Sequence, residues 1–106
     1  FVYTGFKPKF VIIKVGYASA GSDFTNHWFI FDNELNGYNE SNEYLKTDAD
    51  EALSSGTNRI NFLSNGFKCR TTNDSVNSAS GVYMYYAVAD EPLVANVGAS
   101  IPTTAR

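Results

Sequence analysis

At 106 residues the chain has room for one domain, able to bury about two thirds of its unfolded surface around a modest core. Its net charge is −3, and its basic residues (Lys7, Lys9, Lys14, Lys46, Arg59, Lys68, Arg70, Arg106) are scattered with no run that would neutralise phosphates, so nucleic-acid binding is not expected. The single cysteine, Cys69, excludes an intrachain disulfide and a cysteine-rich zinc site, and no apolar run approaches the roughly 18 residues of a membrane span.

The chain opens "FVYTGFKPKF", already strand-like in composition and without an initiator Met, which reads as part of a longer polypeptide. The domain is therefore expected to be incomplete at its N-terminus. The strongest strand is "KFVIIKV", residues 9 to 15, with Pro8 confined to its start or to an edge. A loop of small residues, "GYASAGSD", leads to a second apolar strand, "NHWFIFD", residues 26 to 32.

From Asn33 to Ser55 the chain turns polar, and a long excursion with little regular structure is expected, broken by one capped helical turn near residues 48 to 53 in "TDADEAL". "NRINFL", "SNG" and "FKCRT" then read as a hairpin, with Asn65-Gly66 supplying a tight turn. After the polar loop "TNDSVNSAS" comes a last strand, "VYMYYAVA", residues 82 to 89.

In that last strand Val82, Met84, Tyr86 and Val88 share one face, while Tyr83, Tyr85, Ala87 and Ala89 share the other, so neither side reads as a solvent face. Beyond Pro92 lies a small and polar tail. The organisation expected is a β-sandwich domain over residues 1 to 92 with a C-terminal extension over 93 to 106. Helix-period patterning is nowhere sustained, so the class is all-β, an antiparallel β-sandwich. Its expected core includes Val11, Ile13, Phe29, Phe31, Phe62, Phe67 and Met84.

Little catalytic chemistry is legible. The only imidazole is His27, set inside an apolar strand and read as a half-buried structural residue; there is no nucleophile elbow and no phosphate loop. Cys69, within "GFKCR", reads as a small packed side chain. The run "DADE" lacks the glycine and the closing glutamate of a calcium loop and reads as a solvated acidic stretch. No catalytic residue, metal or cofactor is expected.

Aromatics, at 15 per cent, are the one excess. Those in strands are accounted for by a core, whereas Tyr17, Tyr38 and Tyr44 stand among Asn and Ser and read as exposed contacts. With Asn26, Asn39 and Asn73 they form the expected ligand-binding set, on the loops "GYASAGSDFTN", "NELNGYNESNEY" and "TNDSVNSAS".

The ordered motifs "YTGFKPKFVIIK", "NHWFIFDNELNGYNESNEYL" and "INFLSNGFKCRTTNDSVNSASGVYMYYAVADEPLV", with a terminal "IPTTAR", resemble the domain at the C-terminal end of many bacteriophage tail-fibre and virion structural proteins. The resemblance covers nearly the whole chain. Val94 after Leu93, where the family tends to have Phe, and Tyr86, where it often has a small residue, are minor departures. The resemblance implies a lectin-like sandwich of jelly-roll or concanavalin type and a place on the virion, in a tail fibre or another surface appendage. It implies no catalytic residue, a host cell-surface glycan or outer-membrane protein and other virion proteins as partners, and association as a homotrimer. Two alternatives remain: a purely structural capsid or tail decoration element, and a glycan depolymerase, which would need two carboxylates roughly 5 to 9.5 Å apart in a cleft.

Overall fold

The computed structural model describes residues 1–17, 27–90, 94–95 and 101–102. Strands β1 (Val2–Tyr3), β2 (Pro8–Tyr17), β3 (Trp28–Asp32), β4 (Ser41–Lys46), β5 (Ser54–Leu63), β6 (Gly66–Cys69) and β7 (Val82–Ala89) form one sheet in the order β1-β6-β5-β4-β3-β2-β7. Every pairing is antiparallel. Two one-turn helices interrupt it, α1 (Asn33–Asn36) and α2 (Asp74–Asn77), and β8 (Val94–Ala95) pairs with β9 (Ile101–Pro102) as a separate ribbon. The all-β class expected from the sequence is the class observed.

The sheet curls about β4, so that β2 and β3 present Val11, Ile13, Val15, Phe29 and Phe31 to Ile60 and Phe62 of β5 and Phe67 of β6. Period-two alternation in "KFVIIKV" and "WFIFD" puts these residues on one face because successive side chains of a strand point to opposite sides. Val76 of α2 joins the same cluster. Phe67 meets Tyr85 edge to face, with ring centroids 5.4 Å apart, which links β6 to β7 where the two ends of the curled sheet approach each other. Pro8 stands first in β2, beside a bulge that tolerates its missing N–H.

Met84 does not belong to the core. It is 57% exposed, and Val82, Tyr86 and Val88 on the same side of β7 are exposed with it. Only the opposite side turns inward, where Tyr83 and Ala87 pack against the cluster. Tyr83 also fastens α2, its hydroxyl donating to the carbonyl of Asp74 at 2.5 Å and accepting from the N–H of Ser78 at 2.6 Å.

The stretch from Asn33 to Ser55 is more regular than expected, holding α1 and β4, and residues 48 to 53 form no helical turn. Asp48 is engaged elsewhere: one carboxylate oxygen accepts the N–H of Trp28 at 3.2 Å, and both lie 3.1 Å from Nδ1 of His27. A carboxylate offers only acceptors, so Nδ1 of His27 carries the proton it donates there. The acidic residue thus ties down the start of β3 instead of capping a helix.

The β5–β6 hairpin is present but shifted by one residue. Leu63 pairs with Gly66, which leaves Ser64 and Asn65 in the turn and makes Gly66 the first residue of β6. Glycine is required there because a Cβ would run into the carbonyl oxygen of Val2 in β1. The Asn65 carbonyl in turn accepts the N–H groups of Thr4 and Gly5. Cys69 is half-buried, its thiol directed at the carbonyl of Val76 at 3.6 Å, and burial pushes its pKa up.

Candidate functional site: a small polar pocket beneath Tyr38

Six candidate contact residues were expected, and the structure separates them. Asn26 lies outside the described residues. Tyr17 ends β2, exposed. Tyr44 is not in a loop: it belongs to β4 and packs against Phe29 and Phe31, with ring centroids 5.3 and 5.9 Å away. Asn73 caps α2, accepting the N–H of Ser75 at 2.9 Å and donating to the hydroxyl of Thr57 at 3.2 Å. Tyr38 and Asn39 remain together, and they meet in one pocket.

That pocket has a volume of about 260 Å³ and is lined by Lys7, Asn33, Glu34, Gly37, Tyr38, Asn39, Phe62 and Asp90. It is built by α1 and its exits. Asp32 caps the helix by accepting the N–H of Glu34 at 2.8 Å, and Gly37 closes it in the left-handed conformation, φ 71°. This reversal delivers Tyr38 to the tip, where it is 86% exposed. Asn39 then returns the chain to the sheet by bonding the backbone of Phe62 through both ends of its amide, each at 2.9 Å. Behind the tip, the oxygen of Asn36 gathers the hydroxyl of Ser41 and the N–H groups of Asn42 and Glu43, and so holds the bulged start of β4.

The far wall is charged. Lys7 and Asp90 lie 3.2 Å apart, and the N–H of Asp90 donates to the carbonyl of Lys7 at 2.8 Å. The hydrogen bond from Lys7 holds the Asp90 carboxyl below the usual range against its desolvation, and the side chain of Asn33 adds a second bond in the same direction. The Oδ1 of Asn33 is buried and finds no hydrogen-bond partner. An orphaned buried acceptor costs about 1–3 kcal/mol.

The sequence pointed to Tyr38 and Asn39 but missed Lys7, Asn33, Glu34 and Asp90. Asp32, Glu34 and Gly37 were the available signal, as a cap, a first-turn acid and a C-terminal glycine. Lys7 and Asp90 are joined only through the pairing of β2 with β7.

A wider cleft of about 570 Å³ lies beside α2, lined by Thr57, Cys69, Arg70, Thr71, Thr72 and Asn77. It has neither an aromatic wall nor an orphaned acceptor, so the smaller pocket is the better candidate. Among the described residues no group of three or more His, Cys, Asp or Glu side chains could hold a metal ion, and no helix is long and apolar enough to cross a membrane.

Fold and pocket together define an all-β module that carries a small polar recess at one loop tip. Residues 1–92 match a family described as a domain of unknown function, DUF7483, and the chain belongs to that family. No curated protein and no solved structure matches it.

Proposed function

We propose that the chain is a non-enzymatic bacteriophage virion module, the distal part of a tail fibre or a related surface appendage, and that the Tyr38 pocket binds a sugar unit of a host-surface glycan. The virion placement rests on the ordered motifs from "YTGFKPKFVIIK" to "YMYYAVADEPLV". The single observation that carries the binding role is the pairing of an exposed tyrosine ring with a buried acceptor, Asn33 Oδ1, that lacks a donor. Sugars bring an apolar ring face and several hydroxyl donors, and these two features take one of each. On this reading the partners are a host glycan, free or displayed on an outer-membrane protein, and other virion proteins.

Hydrolysis is the weaker reading. Glu34 and Asp90 share the pocket, but Asp90, held ionised by Lys7, could serve only as nucleophile or base, and the acid would have to be Glu34, which stands exposed on the first turn of α1 and not enclosed in a cleft. Tyr38→Ala tests the proposal without disturbing the core, whereas Tyr44→Ala would damage the packing around Phe29. Particles carrying folded Tyr38→Ala should adsorb at least about tenfold more weakly. Unchanged adsorption would leave the chain a decoration or capping element.

A further inference from the structure

The outer face of the β4-β3-β2-β7 half is apolar and runs across the strands in register. Its middle row is Leu45, Ile30, Ile12 and Tyr86, paired in that order. On one side lies the row Trp28, Lys14 and Met84; on the other lies Asp32, Phe10 and Val88. Tyr86 is 63% exposed, Trp28 is 42% exposed, and Leu45, Val82, Met84 and Val88 are exposed with them. β7 is also an edge strand without charge, proline or glycine, which natural edges usually carry to prevent association.

We propose that this face binds a second copy of the chain, sheet to sheet, about a two-fold axis that runs across the strands through the middle row. Two quantities select this occupant. The exposed side chains offer on the order of 600 Å² of surface, at the upper end of what a monomer leaves bare, and two copies together reach about 1,200 Å², where stable interfaces begin.

Charge then selects the axis. Lys14 stands over the Trp28 ring, 5.8 Å from its centroid, in one outer row, and Asp32 stands in the other. An axis across the strands exchanges the two rows, so each Lys14 lies over Phe10 and diagonally beside Asp32 of the other copy. An axis along the strands would set the Lys14 row on itself and bring like charges together, which is costly in a desolvated interface. Aligned strands are also the ordinary geometry of packed antiparallel sheets. This two-fold association differs from the three-fold one that the family resemblance implies. The inference does not depend on the glycan reading, because the Tyr38 pocket lies at a loop tip outside these rows.

Sedimentation equilibrium of the 106-residue chain should give a dimer. Tyr86→Lys should keep its β-sheet circular dichroism and raise the dimer dissociation constant at least about tenfold. Lys14→Glu and Asp32→Lys should each self-associate poorly, because each sets like charges opposite one another. Mixed in equal amounts they should regain a dimer, since every pair across the axis is then of opposite sign. A monomer, a trimer, or a mixture no better associated than its components overturns the proposal. Asp32 also caps α1, so if Asp32→Lys does not fold, the other two variants decide: an unchanged dissociation constant in both Tyr86→Lys and Lys14→Glu overturns it as well.

Discussion

Asn39 and Phe62 are joined as if they were paired strand residues. The Nδ2 of Asn39 donates to the Phe62 carbonyl at 2.9 Å while its Oδ1 accepts the Phe62 N–H at 2.9 Å, so one side-chain amide satisfies both backbone groups of a β5 residue. Phe62 belongs to the core cluster, and the loop tip is thereby registered against the sheet.

Asn39→Ala should cost about 1–3 kcal/mol, because it leaves a part-buried donor and acceptor unpaired. Asn39→Asp keeps an acceptor for the Phe62 N–H but offers nothing to its carbonyl, so a loss within the same range is expected. Urea denaturation of both variants provides the measurement.

The two faces of the β2–β7 half should respond oppositely to truncation. Phe29→Ala removes a fully buried ring and should cost about 3–5 kcal/mol. Met84→Ala lies on the outer face and should change stability by no more than about 0.5 kcal/mol when measured at protein dilutions where the chain is monomeric. Equal losses at both positions would contradict the one-sided burial of β7.

Two glycines should not tolerate alanine, for different reasons. At Gly37 the positive φ makes a Cβ cost about 1 kcal/mol. Gly66→Ala must push the Val2 backbone away, at about 1–3 kcal/mol, and should selectively remove hydrogen-exchange protection from β1.

Acid should weaken the fold through Asp90 and Asp48. The hydrogen bond from Lys7 lowers the Asp90 carboxyl; burial pushes Asp48 up, but the Trp28 N–H and His27 outweigh it and leave that carboxyl lowered too. A carboxyl with a folded pKa below its unfolded one stabilises fully above the unfolded value, and the stabilisation disappears as pH falls through the folded value. The urea midpoint should therefore drop through the carboxylate range, and Asp90→Asn should show a shallower drop than the parent chain. Identical acid profiles would remove Asp90 from this account.

The strands and most of the core were legible because β2 and β3 are runs of β-branched and aromatic residues, and Ile60, Phe62, Phe67 and Cys69 alternate with polar residues on either side of the β5–β6 turn. β4 was not, since "SNEYLK" is polar in composition and bulged between Ser41 and Glu43, and its one large inward side chain, Tyr44, read as a loop aromatic. α1 and α2 are single turns, too short for a helical period, and only their caps could have revealed them. Met84 was misplaced because an all-apolar strand gives no sign of which face turns inward; that depends on β6 and α2 lying over Tyr83 and Tyr85 rather than over Met84. The charged far wall of the pocket was invisible because Lys7 and Asp90 are distant in sequence.

Tyr38 stands between two anchors, the left-handed Gly37 and the Phe62-bound Asn39, and itself packs against little. Whatever replaces it inherits the same position, because the residues on either side, and not the side chain at the tip, determine the path of the chain. On the proposed glycan-binding reading, the domain could therefore change what it recognises by single substitutions at one position, with little penalty in folding. Binding surfaces usually change through several coupled residues; here the anchors on either side of Tyr38 leave the tip side chain free to vary without moving the chain around it.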